Sequence, residues 1–308
     1  GGCPHILAEP QRTNLVTDSV DVDTYFTNQV DATVTNNYGT SPTGENNSTR
    51  VQWADSTSFI YRAESVSTDT SASIFVKGTS GETVMFGFGG NVTTGDIYTF
   101  DGSWQRIIFT GSIGTTIFLS SYGGATATDF EVFGLQVEEG SYETSYIPTS
   151  GSTVTRNQDI FTRDGIGSLI NSPEGVLFVE MAALSNDSTR RSISLSDGTN
   201  TNRVVLRYDN ASNRVQGFIQ VGGATNGNIN DNSYTITNFL KIAYKWKAGD
   251  FALWINGTEV ATSTSATSFG VGVLTEMQFN EGDGAGTEYF GKVKQLQVYN
   301  TALTDAQL

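Results

Sequence analysis

Cysteine and histidine are nearly missing from this sequence. Its 308 residues hold one Cys, Cys3, and one His, His5. A single thiol forms no internal disulfide, and with His5 close to the start, neither a Ser-His-Asp nor a Cys-His arrangement can be built inside a folded body. Zinc sites of the Cys/His kind are excluded on the same ground. No apolar run reaches the roughly 18 residues that a membrane-spanning helix needs, so membrane insertion is not expected. No Gly-rich phosphate loop stands at a strand-to-helix junction. Charged side chains are also few, at 16%.

What the chain has in quantity is Gly, 34 residues, with many Thr, Ser and Asn. That is the composition of short strands joined by turns, not of helices. The length is large for one core and comfortable for two domains. The formal charge of −15 is uneven, with five Lys/Arg against 17 Asp/Glu in residues 1–150 and 12 against 15 thereafter. The acidic half repels phosphate backbones, so nucleic acid is not an expected partner. The second half gathers Arg190, Arg191, Arg203, Arg207 and Arg214. Solvated strand edges are the plain account of them, and a contact surface for an anionic glycan is the sharper one. The opening Gly1-Gly2-Cys3-Pro4-His5 reads as a cut inside a longer protein.

Apolar residues alternate along most of the chain, the period of half-buried strands. Ala72, Ile74 and Val76 share one face against Ser73, Phe75 and Lys77, and Val84, Phe86 and Phe88 share another. In the second half, Leu240–Lys247 and Phe251–Ala261 form a hairpin and a strand ending in an Asn256-Gly257 turn. The fold class expected is therefore all-β, with two consecutive β-sandwich (jelly-roll) domains. Residues 1–12 are expected as an extended N-terminal arm, 13–150 as the first sandwich and 151–308 as the second. Thr153–Thr162 fits the first edge strand of the second domain.

Several segments carry resemblances. "LAEPQRTNL" at residues 7–15 and "FGLQVEEGSYETSYIPT" at 133–149 resemble a module common in bacteriophage tail and fibre proteins, a jelly roll similar to carbohydrate-binding modules. "SASIFVKG", "GSWQRIIFTG" and "FEVFGLQVEEG" resemble the carbohydrate-binding modules of families four and nine, which bind glycans in a groove on one concave sheet. "FALWINGTEVA" and "FGKVKQLQVYNTALTDAQ" resemble the laminin-G and concanavalin-A-like lectin fold. The resemblances imply a carbohydrate-binding segment of a phage tail, outside the cell on the virion. Its partner would be a polysaccharide or cell-surface glycan, with other virion proteins or a homo-oligomer as further partners. An accessory region of a secreted polysaccharide-degrading enzyme and a ligand-free spacer of the virion are the alternatives.

A sugar offers an apolar CH face and a rim of hydroxyls, so a site pairs a flat aromatic with amides, carboxylates and guanidiniums. Trp254 shares the outward face of its strand with Ala252 and Asn256, opposite Phe251, Leu253 and Ile255. A packed surface aromatic, an inter-domain contact and a ligand platform all fit that placement. The other tryptophans, Trp53, Trp104 and Trp246, read as structural. In the first sandwich the family groove implies Phe75, Lys77, Arg106 and Gln136, with Tyr122 in a nearby loop; in the second, Arg207 joins Trp254 and Asn256 as a contact. By analogy with jelly-roll modules a structural calcium ion is expected, with Glu9, Asn14 and Glu131 as ligands by position. No enzyme activity is expected. Glu276, Glu281 and Asp283 lie close in sequence, but the glycines among them indicate a loop, either a solvated turn or a calcium loop.

Overall fold

The computed structural model describes residues 4–64, 69–112, 115–284 and 286–308. Cys3 lies outside them. The chain is all-β among these residues, apart from one turn of α-helix at Val22–Tyr25 and a 3-10 turn at Gly167–Leu169. It divides into two units, Gln11–Asn157 and Gly1–Pro10 with Gln158–Leu308.

The Gln11–Asn157 unit is two five-stranded antiparallel sheets. One runs, in spatial order, Gln105–Ser112, Asp69–Gly78, Asp129–Glu139, Thr49–Trp53 and Ala32–Thr35; the other runs Asn28–Val30, Phe59–Ala63, Thr116–Ser120, Thr83–Gly89 and Asp96–Thr99. The alternation decides which side chains meet between them. Ala72, Ile74 and Val76 are fully buried in one apolar cluster with Val84, Phe86 and Phe88. Trp53 belongs to the same cluster, packed edge-on against Phe130. The last strand, Asp129–Glu139, carries a bulge between Phe133 and Gln136, where Gly134 has φ 67°. The extra residue resets the parity, so Leu135 and Val137 continue the core set begun by Phe130 and Val132.

The other unit is two six-stranded sheets. The first runs Ile6–Ala8, Gly291–Tyr299, Glu174–Ala183, Leu240–Lys247, Phe251–Ile255 and Thr258–Ser263. The second runs Thr162–Arg163, Glu276–Gln278, Arg191–Ser196, Arg203–Tyr208, Val215–Val221 and Ala224–Asp231. Leu177, Val179, Ile193, Leu206, Tyr244 and Trp246 are among the fully buried residues between them. The hairpin turn has φ 53° at Asn256 and 77° at Gly257, the left-handed pair that a two-residue turn requires.

The division of the chain differs from the sequence expectation at both ends of the first sandwich. Ile6–Ala8, expected as part of a free arm, is an edge strand paired to the last strand with Ile6 opposite Val293, and Ala8 is fully buried in that core. Glu9 N–H donates to the Asp159 carboxylate, and Asp159 N–H donates to the Glu9 carbonyl. Val154–Arg156, expected to open the second domain, instead pairs with Arg12–Asn14 inside the first sandwich. The Gln11–Asn157 unit is thus inserted after the first strand of the other sandwich, and each sandwich ties its own two chain ends together. Alternation reports the face a residue takes, not the strand it pairs with, so the sequence placed the boundary near Gly151.

Arg191 corrects the reading of the arginine cluster as surface. It lies opposite Tyr208 on the core side of its strand and is 1% exposed. Its guanidinium donates to Asp187 at 2.8 Å and to the Thr189 carbonyl at 3.1 Å. Burial opposes ionisation of Asp187, but the bond and charge of Arg191, together with hydrogen bonds from Thr189, outweigh it and hold the carboxyl at about 2 instead of 3.8.

Excising residues 11–157 and joining Pro10 to Gln158 through a short Gly-Ser link should leave a cooperatively melting sandwich. Removing residues 1–10 from that protein should lower its midpoint by several degrees, since losing Ala8 and its strand costs about 1–3 kcal/mol and each 1 kcal/mol moves a domain of this size by about 2–4 °C. Equal midpoints would show the strand to be dispensable. Acid should also weaken this sandwich. The Asp187 carboxyl is depressed in the folded state, so its contribution is present above the unfolded value and lost as pH falls from about 4 to about 2. Discounted for partial exposure, that is about 1–2 kcal/mol, and calorimetry between pH 5 and pH 2 should find a smaller loss in Asp187→Asn than in the parent.

Candidate functional site

In the Gln11–Asn157 unit, the outward side of the sheet holding Asp69–Gly78 is built by strand parity. Register sets Lys77 opposite Glu131, Glu131 opposite Arg50, and Arg50 opposite Thr35. Trp104, just ahead of its strand, has the parity of Arg106 and extends the row beyond Lys77. Lys77 Nζ lies 3.2 Å from Glu131 Oε1 and 5.8 Å from the Trp104 ring centroid. Ser48 Oγ donates to the other Glu131 oxygen at 2.6 Å. Arg50 is bidentate on Asp129 and lies 4.7 Å from the centre of the Tyr38 ring. Tyr38 is 48% exposed.

The loop carrying Tyr38 is held from two sides. Trp104 Nε1 donates to the Thr40 carbonyl at 3.0 Å, and Gly39 N–H donates to Ser48 Oγ at 2.9 Å. A Cβ on Gly39 would come within 2.5 Å of a Glu131 carboxylate oxygen and 3.2 Å of Ser48 Oγ, so a larger residue here would push the Glu131 carboxylate aside. The result is a row of alternating charge, Lys77–Glu131–Arg50, with an aromatic ring at each end. Trp104 was expected to be structural and Tyr38 was not singled out. Parity with Arg106 would have found Trp104; nothing in sequence brings the Tyr38 loop to this sheet.

The rest of that face is closed by the chain itself. Gln136 points outward, as its parity predicts, yet is fully buried: its amide donates to the Thr144 and Ser145 carbonyls and accepts from Ile147 N–H at 2.6 Å. Glu138 accepts from Thr144 N–H and Oγ1. Arg106 donates to the Thr144 carbonyl and to Ser73 Oγ, both at 2.7 Å, and lies over Phe75. Phe75 packs against Phe133 and Tyr146. Residues 142–147 therefore cover the part of the sheet where Phe75, Arg106 and Gln136 were expected to meet a ligand, and Lys77 alone of the four stands in the open row. Tyr122 is not near it; its ring lies 6.1 Å from Phe59, a residue of the opposite sheet.

In the other unit Trp254 faces outward as expected and is half-buried, its indole N–H without a partner. It lines a cavity of about 310 Å³ with Phe178, Tyr299, Leu303, Gln307 and Leu308. The segment after Tyr299 lies against this face, with Asp305 3.3 Å from the buried Lys245 ammonium. Asn256 has a turn role: its side-chain oxygen accepts from Lys241 N–H at 3.0 Å, and its own N–H donates to the Lys241 carbonyl. A separate cavity of about 740 Å³ is walled mainly by Ile6, Phe161, Met277, Phe279, Val293 and Leu296, with His5, Thr162, Lys294 and Gln295 also in its lining, so His5, expected in a free arm, belongs to this sandwich.

The second sheet of this unit turns a different face outward. Ser192 lies opposite Arg207, which lies opposite Gln216; Ser194, Val205 and Phe218 form the next row; Ser196, Arg203 and Gln220 the next. Arg207 is 8% exposed, as is Arg203, so neither is the open contact expected of Arg207. Both lie over Phe218, at 5.0 and 5.9 Å, and both reach Glu281. Burial lowers the Arg207 pKa against the pull of Glu281 and Asp209. Glu276 accepts from Ser196 and Gln278. Glu276 and Glu281 are thus tied to the sheet rather than free in a solvated loop.

The three positions expected to hold calcium are committed elsewhere. Asn14 is fully buried and spends its amide on the Leu135 and Ile147 carbonyls and on the Val16 and Val137 N–H groups. Glu131 serves Lys77 and Ser48, and Glu9 belongs to the other unit. Among the described residues no group of three or more His, Cys, Asp or Glu is arranged to hold a metal ion.

Residues 177–308, less than half of the chain, match the family model of the Concanavalin A-like lectin/glucanases superfamily. No curated protein matches. Among solved structures the chain is similar to the CBM40 of the Ruminococcus gnavus IT-sialidase bound to α2,3-sialyllactose, at 17% identity over 48% of this chain and 96% of that one, with TM-score 0.40. It is similar also to a heptameric SAP-like pentraxin from Limulus polyphemus, at 14% identity over 44% and 68%, TM-score 0.35, and to sheep galectin-11, at 7% identity over 46% and 97%, TM-score 0.31. At such identities the likeness is one of fold alone.

Proposed function

We propose that this chain binds carbohydrate without cleaving it, and that it does so as a segment of a phage tail or fibre protein recognising host or environmental polysaccharide. The observation that carries the binding is the open row Trp104, Lys77, Glu131, Arg50 and Tyr38. The Trp104 N–H is spent on Thr40, so the indole is fixed and offers a ligand its surface. Lys77 and Glu131 already hold one another, so little side-chain freedom is lost when they turn to sugar hydroxyls. The match of residues 177–308 to a superfamily described by lectins and glucanases supports a carbohydrate ligand. The phage reading rests on the wording around residues 7–15 and 133–149. The non-catalytic reading is supported by Glu276 and Glu281 being engaged in hydrogen bonds and ion pairs.

A glycan array on the intact chain identifies the ligand. Titration with the best hit should then find Tyr38→Ala and Trp104→Ala weakened by about 1–3 kcal/mol each, the usual value of an aromatic anchor. Normal binding by both, with unchanged melting curves, would move the site off this row. The affinity of one copy should be low, because an open row buries little area, and several copies on one particle would raise it through avidity. Incubation with laminarin, xylan, alginate and host exopolysaccharide should release neither reducing ends nor unsaturated products; turnover that survives repurification would overturn the non-catalytic reading.

A further inference from the structure

Arg203 and Arg207 are held in place before any ligand arrives. Arg203 Nε donates to Gln220 Oε1 at 2.6 Å, and Arg207 Nε donates to Gln216 Oε1 at 2.8 Å. Gln216 in turn donates to Asn228 at 2.7 Å. With each Nε occupied, Nη1 of both arginines reaches the Glu281 carboxylate, and Arg203 also donates to the Glu281 carbonyl at 2.7 Å. Phe218 lies between the two guanidiniums. Two planar donors flanking a ring are a carboxylate clamp.

Charge is unbalanced around it. Asp209 alone serves Arg190, Arg207 and Arg214, at 2.8, 3.1 and 3.4 Å. The linked set of Arg190, Arg203, Arg207 and Arg214 thus shares two carboxylates, Asp209 and Glu281. The chain turns directly after Glu281, at Gly282 with φ 90°. Beneath it, a Cβ on Gly282 would stand 2.7 Å from the Ser196 Cβ and 3.1 Å from Ser194 Oγ. Ser194 Oγ and its neighbour Ser192 Oγ are fully buried on this face and have no hydrogen-bond partner. A pair of unsatisfied hydroxyls under this turn is costly for a surface meant to stay shut.

We propose that the Arg203–Phe218–Arg207 clamp is a binding site for the carboxylate of an acidic sugar, and that Glu281 occupies it in the ligand's place until displaced. The Glu281 side chain turns away, the ligand carboxylate takes the two guanidiniums, and the sugar ring lies on Phe218. Hydroxyls of the ligand reach Ser192, Ser194 and the Gln216–Asn228 pair. An anion keeps the charge as it was, whereas a neutral sugar would leave Arg203 without an ion partner and Arg207 sharing Asp209 with two other arginines, so the site selects acid over neutral sugars. The proposal rests on the carbohydrate-binding reading but concerns the other sandwich.

The test is a titration of the full chain with galacturonate trimer, glucuronate and the methyl glycoside of N-acetylneuraminate, each beside its methyl ester. In the parent, at high sugar concentration, the Arg203 and Arg207 Nε–H resonances and the Gly282 amide should shift with at least one acid sugar and with no ester. Glu281→Gln, which removes the competing charge, should bind that sugar at least about tenfold more tightly, and Arg207→Gln should bind none. Absence of any shift at Arg203, Arg207 and Gly282 in the parent overturns the proposal even where Glu281→Gln does not fold, and so does a folded Glu281→Gln that binds no better than the parent. If neutral sugars bind at the Trp104 row and acid sugars do not touch the clamp, only this proposal fails; if no sugar of either kind binds, the carbohydrate reading fails with it.

Discussion

Each sandwich is closed where the two ends of its own stretch of chain pair with one another. Glu9 and Asp159 exchange two hydrogen bonds, and this fixes Ile6–Ala8 as the edge strand that seats Ala8 in its core. Arg12–Asn14 and Val154–Arg156 pair in turn and close the inserted unit. Asn14 is the pin of that closure. Its four bonds to backbone tie the entering strand to the last strand at Leu135 and Val137 and to the covering segment at Ile147. An insertion needs its two ends close together, and short strand pairs supply that at little entropic cost.

Both sandwiches face the same physical problem on an outer sheet surface. Strand parity turns polar and charged residues outward, and part of that surface is then buried by the chain's own loops. A buried polar group needs a partner, and the covering segment supplies it: Thr144 to Glu138 and Arg106, Ile147 to Gln136, Glu281 to Arg203 and Arg207. Where the cover stops, the face remains available. In the inserted unit that is the row from Trp104 to Tyr38. In the other it is a surface whose central charges are answered by a loop carboxylate, with hydroxyls beneath it left unanswered.

The strands and their faces were legible in the sequence. Val84, Phe86 and Phe88 lie in the core, Trp254 points outward, and Gln136 takes the outward side of its strand. The fold class followed from the same alternation. The site was less legible because pointing outward is not the same as being exposed. Gln136 and Arg106 fail as ligand contacts because residues 142–147 return over them, an event eight or more residues away in sequence. Arg191 fails as a surface charge because its strand parity places it against the core edge with Asp187. Tyr38 was missed because a loop residue has no parity to read.

The sequence by itself determined that the protein is built of strands and which face most strand side chains take. Those follow from local periodicity and residue inventory. Tertiary structure alone decided that residues 6–8 pair with the far end of the chain, that one sandwich is inserted in the other, and that two arginines four residues apart share one carboxylate 74 residues or more away. Strand pairing and ion pairing across such distances depend on which edges and loops meet in space, and an alternating pattern is the same whichever partner a strand takes.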